Sequence, residues 1–507
     1  MHGQTLGQIL PEAAATFGDK TALVFGNRPF TFTELDAMSN SLANGLLAKG
    51  VAPGDRVTLY AQNAWEWVVS YYAAAKTGAV INPINAMLTT AEVAYVVEDC
   101  GAKVIVSTAD KGEALLDIKA STDLAEVVLF GDDAPVGAIA FDDLLRDGKN
   151  SFDAAKVDPN DLSTICYTSG TTGHPKGAMQ SHRSVVLNTS LTALMHSRNA
   201  ADIIVSALPC PHVYANVVMN STMLFGMTLV LVERFDETAV LEAIQEHKAT
   251  VYDGVPTSYM MILAGPDTEK YDTGSLNRCV TGGQTMPAAK AEEFEDRFGC
   301  PLLELWGMTE LAGVGTSNTW YGENRHGSIG VSVPYMECRI ADAEDAQVTV
   351  DRDAPGELMM RGPLVMQGYF GNAKATQETI EPDGWMHTGD IARMDEAGFI
   401  WMVDRKKDMI LTGGYNVYPA EIERVLAQHP AIAMAAVGKL EDETKGEIAK
   451  AYVVLKPGQS AETEEVRTFC KQHLAAYKVP RAVRFVDDLP KTSTGKIMRR
   501  ELHRLDG

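Results

Sequence analysis

The sequence lacks the features that mark secreted, membrane-spanning and zinc-binding proteins. Its seven cysteines are scattered and form no Cys-x-x-Cys pair, which predicts reduced, mostly buried thiols of a cytoplasmic protein. The amino terminus has no basic start followed by an apolar core, so a signal peptide is not expected. The longest apolar tract, residues 217–232, is shorter than the roughly 20 residues of a spanning helix, and it predicts a buried helix followed by a strand.

Basic residues are also scarce. The chain has 44 Lys and Arg against 67 Asp and Glu, which gives a formal net charge of −23. Such a charge repels nucleic acid and anionic membrane surfaces, so neither is expected as a partner. An anionic ligand must therefore be met by a local group of basic residues.

The 507 residues are too many for one hydrophobic core and predict an α/β protein of more than one domain. Strand-like runs alternate with helix-length segments in the first part of the chain, which predicts doubly wound, mostly parallel sheets. Short strands from about 327 to 404 predict a β-rich subdomain that completes a large N-terminal domain, residues 1–404. Residues 405–507 predict a small, mobile α+β domain, with a hinge near 405–407 in a charged segment.

Residues 168–177, TSGTTGHPKG, combine glycines, hydroxyl residues and one lysine directly after a predicted strand at 163–168. Glycines let the backbone approach a ligand closely, hydroxyls donate hydrogen bonds and Lys176 adds a positive charge, so a phosphate-binding loop is predicted. The spelling differs from the P-loop of kinases and GTPases, because Lys176 lies between a proline and a glycine. A flexible surface turn is the alternative interpretation of this loop on its own.

Further motifs follow in order: PHVY (211–214), TGGQTMP (281–287), WGMTE (306–310), HTGD (387–390), VDRKKDMILTGGYNVYPAEIE (403–423) and PKTSTGK (490–496). With the loop, they resemble the core motifs of the adenylate-forming superfamily, which includes acyl-CoA synthetases, adenylation domains of peptide synthetases and firefly luciferase. The resemblance covers nearly the whole chain. It implies two steps: a carboxylate attacks the α-phosphate of ATP to give acyl-AMP and pyrophosphate, and the thiol of CoA then displaces AMP.

The resemblance also implies where ATP and Mg²⁺ bind. Glu310 matches the Mg²⁺ ligand, a hard carboxylate that suits this metal. Thr309 is implied to donate to the α-phosphate, and Asp390 to accept hydrogen bonds from both ribose hydroxyls. Trp306 is expected to stack on adenine, with a core tryptophan as the alternative. The residues implied to bind the nucleotide are Thr168, Ser169, Gly170, Thr171, Thr172, Lys176, Gly283, Gln284, Trp306, Gly307, Thr309, Asp390, Arg405 and Lys496.

The C-terminal motifs imply a change of conformation between the two steps. Lys496 matches the lysine that bridges the carboxylate and the α-phosphate during adenylation, and it is a catalytic candidate with Thr309 and His212. Gly413 and Gly414 are implied to line the tunnel for the CoA thiol arm, since a side chain there would obstruct it. Lys407 occupies the family's pivot position, which would let the domain serve each step in turn.

The acyl pocket is expected around His212, Tyr214, Asn216 and Met219. Arg198 is the only Arg or Lys between Arg183 and Arg234, so no anchor for a second carboxylate is evident. This favours a monocarboxylic acid, either a medium- or long-chain aliphatic acid or an aromatic acid such as a hydroxycinnamate. Hydroxycinnamate ligases carry basic residues where this chain has Leu411 and Gly413. The contacts that this strand makes to the AMP phosphate or CoA in those ligases are therefore not transferred to this chain.

Three other functions remain open at this stage. A stand-alone adenylation enzyme would load the acyl group onto a carrier protein, but amino-acid-specific domains have an Asp just after the PHVY region that is missing here. A luciferase-like oxidation has no supporting signal in the sequence. A nucleotide-sensing binding protein would not need both Lys496 and the glycines at 413 and 414. The oligomeric state is open, with a homodimer as one option.

Overall fold

The computed structural model describes residues 5–132, 134–168, 175–265, 268–342, 346–351, 353–412, 415–442, 445–491 and 497–506. The helices of these ranges are Leu6–Phe17 (α1), Phe32–Ala48 (α2), Trp65–Thr77 (α3), Thr90–Cys100 (α4), Gly112–Ser121 (α5), Phe141–Asp147 (α6), His182–Met195 (α7), Val213–Phe225 (α8), Glu237–His247 (α9), Pro256–Ala264 (α10), Ala288–Phe298 (α11), Ala373–Thr379 (α12), Pro419–Leu426 (α13) and Thr463–His473 (α14).

The strands of the two large sheets all lie between residues 21 and 332. These strands are Thr21–Phe25 (β1), Arg28–Thr31 (β2), Arg56–Tyr60 (β3), Val80–Pro83 (β4), Ala102–Thr108 (β5), Glu126–Phe130 (β6), Ile139–Ala140 (β7), Leu162–Thr168 (β8), Lys176–Ser181 (β9), Ile203–Ser206 (β10), Thr228–Leu231 (β11), Val251–Gly254 (β12), Arg278–Gly282 (β13), Leu302–Met308 (β14), Gly313–Ser317 (β15) and Val331–Ser332 (β16).

The remaining strands form two smaller sheets. They are Glu337–Ala341 (β17), Gly356–Arg361 (β18), Met386–Met394 (β19), Ile400–Arg405 (β20), Ile410–Thr412 (β21), Tyr415–Val417 (β22), Ile432–Asp442 (β23), Gly446–Leu455 (β24) and Ala482–Phe485 (β25). The four-stranded sheet has the order β17-β18-β19-β20, and the five-stranded sheet has the order β22-β21-β24-β23 with β25 beside β24.

Both large sheets are parallel at their centres. The nine-stranded sheet has the order β16-β15-β14-β13-β12-β10-β11-β1-β2, and the seven-stranded sheet has the order β7-β6-β5-β3-β4-β8-β9. The neighbours from β14 to β1 pair in parallel, as do those from β7 to β8, whereas β2, β9, β15 and β16 add antiparallel edges. The prediction of a doubly wound α/β protein is confirmed.

Local sequence signals explain the element boundaries. Helix α2 begins after Thr31, whose hydroxyl accepts from the Glu34 backbone while the Glu34 carboxylate accepts from the Thr31 backbone. The apolar tract at 217–232 divides into helix α8 and strand β11, as predicted. Gly226 makes this break because it ends the helix in the left-handed region, with φ of 69°.

The chain divides into two compact units. The first unit comprises Met1–Glu337 and Arg361–Met386, and the second comprises Cys338–Met360 and His387–Gly507. Most of the four-stranded sheet therefore belongs with the C-terminal segment, whereas the predicted domain boundary lies at 404–405. The predicted boundary coincides with the expected hinge near 405–407, and both the boundary and the hinge stay predictions.

All seven cysteines lie in the described ranges and are free thiols, six of them buried. Burial raises the pKa of the Cys166 and Cys210 thiols to about 12, so both stay protonated at neutral pH. Among the described residues, no helix combines the length and the apolar character needed to span a lipid bilayer.

Candidate functional site

The strands on either side of the glycine-rich loop form an antiparallel pair. Thr168 ends β8, Lys176 begins β9, and the two residues lie directly opposite each other. Ser169, Gly170, Thr171 and Thr172 lie outside the described residues. The Lys176 ammonium lies 5.3 Å from the centre of the Tyr369 ring, which is within the range of a cation–π contact.

The predicted metal ligand lies in a turn that follows strand β14 directly. Glu310 is buried in the 3-10 turn Thr309–Leu311, and its Oε1 accepts a hydrogen bond of 2.8 Å from the Tyr369 hydroxyl. The Thr309 carbonyl accepts from the Gln180 side chain at 2.8 Å, which ties the turn to strand β9. The turn thus joins the end of one large sheet to the strand that carries Lys176.

This arrangement fits Mg²⁺ bound together with a nucleotide. Within the described ranges there is no group of three or more His, Cys, Asp or Glu side chains that could hold a metal alone. Mg²⁺ often binds through one or two carboxylates and completes its shell with substrate phosphates and water. Glu310 supplies a buried carboxylate of this kind.

Two predicted nucleotide loops lie at the same edge of the nine-stranded sheet. Strands β13 and β14 are parallel neighbours, with Gly282 opposite Leu305. Gly283 and Gln284 therefore follow the end of β13, beside the last residues of β14, which include Trp306 and Gly307. Gly283 adopts φ of 90°, a conformation that L side chains rarely adopt. The carboxyl ends of adjacent parallel strands are where open α/β sheets bind ligands.

The Trp306 side chain is buried in the sheet. Its ring lies against strand β15, since a Cβ added at Gly315 would be 2.6 Å from the Trp306 Cζ3 atom. A Cβ at Gly307 would lie 2.1 Å from the Gly313 carbonyl oxygen, so this position has room only for glycine. Trp306 therefore lies in the core, as its alternative interpretation has it, and its stacking on adenine stays a prediction.

The expected acyl-pocket residues begin helix α8. His212 is the exposed N-cap, and its Nδ1 atom accepts a hydrogen bond of 3.2 Å from the Tyr214 backbone. The Asn216 side-chain oxygen accepts from the Tyr71 hydroxyl at 3.2 Å, and Met219 is buried. The four predicted residues thus lie at the N-cap and in the first two turns of the same helix.

A buried ion pair lies beneath this helix. The Arg198 Nη2 atom donates to both carboxylate oxygens of Asp253, at 2.7 and 2.9 Å, and its Nη1 atom donates to Ser221 at 2.9 Å. The Tyr214 hydroxyl lies 3.0 Å from the same Asp253 carboxylate. Since the Arg198 charge is matched by Asp253, this residue does not provide an anchor for a second carboxylate of a substrate.

Replacing Asp253 with Ala is expected to destabilise the protein by about 3–5 kcal/mol, because Arg198 would keep a buried charge without its counter-ion. Urea-induced unfolding followed by circular dichroism measures this loss. Asp272→Ala is the matched control, since Asp272 pairs with Lys248 at the exposed surface and its removal should change the unfolding free energy little. Equal stabilities of the two variants would contradict the prediction.

In the second unit, the predicted ribose ligand and its arginine face each other. Asp390 on β19 lies opposite Arg405 at the end of β20, and the Arg405 Nε atom is 2.6 Å from the Asp390 Oδ1 atom. The Asp390 side chain is 2% exposed and that of Arg405 is 38% exposed, so the pair reaches the surface through the arginine.

The segment around Lys407 is held by ionic contacts on both sides. Lys407 itself is exposed in the 3-10 turn Lys406–Asp408. The Arg499 guanidinium donates to Asp404 at 2.7 Å, to Asp408 at 3.1 Å and to Glu423 at 2.6 and 3.1 Å. Arg499 therefore connects the carboxylates that precede and follow the predicted pivot.

Two family models match nearly the whole chain. The model of the AMP-binding enzyme matches residues 10–370, and the model of the AMP-binding enzyme C-terminal domain matches residues 421–496. The chain belongs to the AMP-binding enzyme family. The membership in the adenylate-forming superfamily that the motifs predicted is thereby confirmed.

Relatives of this AMP-binding enzyme act on different acids. A long-chain-fatty-acid–CoA ligase of Bacillus subtilis is 34% identical, over 98% of this chain and 94% of the relative. A feruloyl-CoA synthase of Amycolatopsis is 36% identical over 100% of both chains. The crystal structure of the anthranilate CoA ligase AuaEII in complex with anthranoyl-AMP is 29% identical, with a TM-score of 0.93 and coverage of 100% of this chain and 98% of that chain.

Several predicted residues of this AMP-binding enzyme lie outside the described ranges. They are Ser169, Gly170, Thr171 and Thr172 of the loop, Gly413 and Gly414 of the predicted tunnel, and Lys496. In sequence, Lys496 lies between two described residues, Lys491 and Ile497, which form a β-bridge. The roles of all predicted site residues stay predictions.

Sequence reasoning missed one aromatic and two acidic residues that contact the predicted site residues or lie in the strands beside them. Tyr369 contacts both Lys176 and Glu310, and the available signal was an aromatic residue between glycines in the segment QGYFG. Glu304 interrupts the apolar strand β14, accepts from the Met286 backbone at 3.3 Å, and its pKa is raised by burial to about 8. Glu357 accepts from Lys406 at 2.8 Å and from the Gly389 backbone at 3.1 Å.

The charge state of Glu357 follows from these contacts. Burial opposes its ionisation, but hydrogen bonds from His387 and Lys406 lower the pKa of its carboxyl to about 2. The carboxylate is therefore ionised at neutral pH, and it binds Lys406, which follows Arg405, and Gly389, which precedes Asp390.

Proposed function

We propose that the protein is an ATP-dependent acid:CoA ligase that converts a monocarboxylic acid to acyl-AMP and then to acyl-CoA. The named activities of the relatives, which join different acids to CoA, support this reaction class. The observation that carries the proposal is that the buried Glu310 carboxylate and the Lys176 ammonium both contact the Tyr369 side chain. This placement suits a ligand that brings both a divalent cation and phosphate groups.

In the first step both reactants are anions, so the site must neutralise charge and align the attack. Lys176 and the loop after β8 would hold the departing pyrophosphate, and Thr309 would donate to the α-phosphate. Mg²⁺, when bound by Glu310, would neutralise phosphate charge. Lys496 would bridge the attacking carboxylate and the α-phosphate.

In the second step the CoA thiol attacks the acyl carbon and AMP leaves. Asp390 would keep AMP in place by accepting hydrogen bonds from its ribose hydroxyls, with Arg405 beside it. A rotation at Lys407 would remove Lys496 and bring the glycines at 413 and 414 to the acyl group. ATP, Mg²⁺ and CoA are the small molecules this scheme requires, and the cytoplasm supplies all three.

The acid itself is proposed to carry a single carboxylate. Arg198 is the one Arg or Lys between Arg183 and Arg234, the stretch that includes the expected acyl pocket, and Asp253 neutralises its charge. A carrier protein in place of CoA is the second candidate acceptor, because the first step would be the same.

An AMP-release assay over a panel of acids tests this proposal. Fatty acids of medium and long chain, hydroxycinnamates and a dicarboxylate would each be supplied with ATP, with and without CoA. We expect CoA-dependent AMP release for monocarboxylates and little for the dicarboxylate. Acid-dependent exchange of pyrophosphate into ATP, with no AMP release when CoA is added, would instead favour a carrier protein as acceptor, because AMP leaves only when an acceptor takes the acyl group.

Replacing Gly414 with Leu is expected to block thioester formation and to spare adenylation, because the side chain would fill the proposed thiol tunnel. Acid-dependent exchange of pyrophosphate into ATP measures the first step, and acyl-CoA formation from supplied acyl-AMP measures the second. Leu411→Ala is a nearby control, since Leu411 is half exposed on strand β21. Survival of both steps in Gly414→Leu would show that the tunnel lies elsewhere.

A further inference from the structure

The segment at 366–370 joins the strand that carries Lys176 to the turn that carries Glu310. The Met366 backbone donates to the Glu310 carbonyl at 2.8 Å, and the Phe370 backbone donates to the Gly177 carbonyl at 2.8 Å. Between them, Tyr369 lies opposite Ala178 in an antiparallel bridge. The backbone position of Tyr369 is therefore set from both directions.

The Tyr369 side chain repeats this connection. Its hydroxyl donates to the Glu310 Oε1 atom at 2.8 Å, and its ring lies 5.3 Å from the Lys176 ammonium. Tyr369 is 9% exposed and Glu310 is 7% exposed, so the hydrogen bond between them is largely shielded from water. A hydrogen bond to a charged carboxylate is shorter and stronger than one between neutral groups.

We infer that Tyr369 is a positioning residue for Mg²⁺-bound ATP. Its hydroxyl orients the Glu310 carboxylate toward the metal, while its ring supports the lysine that meets the phosphates. This inference rests on the proposed function, because it takes Glu310 as the metal ligand. Tyr369 lies outside all the sequence motifs above, and it acts through Glu310 and Lys176.

One substitution can separate the two contacts of Tyr369, its hydrogen bond to Glu310 and its ring contact with Lys176. Tyr369→Phe removes only the hydroxyl and keeps the ring beneath Lys176, so its effect must pass through Glu310. A carboxylate that loses a fixed hydrogen bond samples more rotamers, and fewer of them present the oxygens to a metal. The loss should therefore depend on Mg²⁺, whereas general damage to the fold would weaken ATP binding with or without Mg²⁺.

Isothermal titration calorimetry of ATP binding, without any acid substrate, tests the inference. Tyr369→Phe is expected to bind ATP about tenfold more weakly than the native protein when Mg²⁺ is present, the loss of one hydrogen bond to a charged group. Without Mg²⁺ the two proteins should bind ATP equally. Adding Tyr369→Phe to Glu310→Gln should cause no further loss, because the hydroxyl acts through that carboxylate.

Tyr60 offers a matched control in the same unit. Its hydroxyl donates to the Leu88 carbonyl at 2.6 Å, and its ring lies 3.6 Å from the Lys111 ammonium. Tyr60→Phe thus removes the same kind of hydroxyl beside the same kind of cation, and it should leave ATP binding unchanged in both conditions.

Two outcomes would overturn the inference while leaving the proposed function intact. One is a Tyr369→Phe protein that binds ATP normally in Mg²⁺, and the other is an equal loss with and without Mg²⁺. A native protein that binds no ATP in the presence of Mg²⁺ would overturn the proposed function as well. A Glu310→Gln protein with native Mg²⁺-dependent affinity would remove Glu310 as the metal ligand and the inference with it.

Discussion

Replacing Lys496 with Ala is expected to abolish acyl-AMP formation from acid and ATP and to leave thioester formation from supplied acyl-AMP largely intact. A positioned positive charge between two anionic reactants contributes about 3–4 kcal/mol to the transition state, which corresponds to a loss of some hundreds-fold in rate. Acid-dependent pyrophosphate exchange measures the first step. Acyl-CoA formation from synthetic acyl-AMP measures the second.

Lys491 provides the control for this experiment. It lies at the other end of the same short segment, bridged to Ile497, and its ammonium is 2.6 Å from the exposed Asp488 carboxylate. Lys491→Ala removes the same charge from the segment and should leave both steps nearly unchanged. Equal losses of adenylation and thioester formation in Lys496→Ala would contradict a role confined to the first step.

Replacing Lys407 with Pro is expected to slow thioester formation by a large factor while adenylation remains measurable. Proline fixes φ, so the backbone at the proposed pivot would lose the rotation that exchanges Lys496 for the glycines at 413 and 414. The structure adds a physical requirement, because Arg499 binds Asp404 before the pivot and Asp408 after it. A rotation at Lys407 would carry Arg499 away from one of these carboxylates.

Lys407→Ala separates the backbone effect from the side-chain effect. The Lys407 side chain is exposed, so its removal should have a small effect, whereas proline acts on the backbone itself. Single-turnover measurements of each step, followed by the steady-state rate with acid, ATP and CoA, give the comparison. A Lys407→Pro enzyme with the normal overall rate would exclude rotation at this residue.

The alternation of strands and helices could be predicted from the sequence because each element carries its own local pattern. The run at 278–282 is a short strand with Cys279, Val280 and Thr281 before a glycine, and the helix after Thr31 begins with a capping box. The apolar tract at 217–232 predicts a helix and a strand because it is too short to span a bilayer. Patterns of this kind depend on residues that are close in sequence.

The missed contacts depend on residues that are far apart in sequence. Tyr369 and Glu310 are 59 residues apart, and Arg499 and Asp404 are 95 residues apart. No periodicity links such positions, since the fold alone brings them together. The pairing of Arg198 with Asp253 is similar: the sequence showed an isolated arginine, and the structure showed that its charge is already matched.

The chain passes between its two compact units after residues 337, 360 and 386, and this order has a consequence for synthesis. A nascent chain that ends at residue 337 contains every strand of the nine- and seven-stranded sheets but not the stretch at 361–386. Tyr369 belongs to that late stretch. The growing polypeptide therefore gains its Tyr369–Glu310 contact only after the ribosome has made the first part of the second unit, so this contribution to the binding of Mg²⁺ and nucleotide arises late in synthesis.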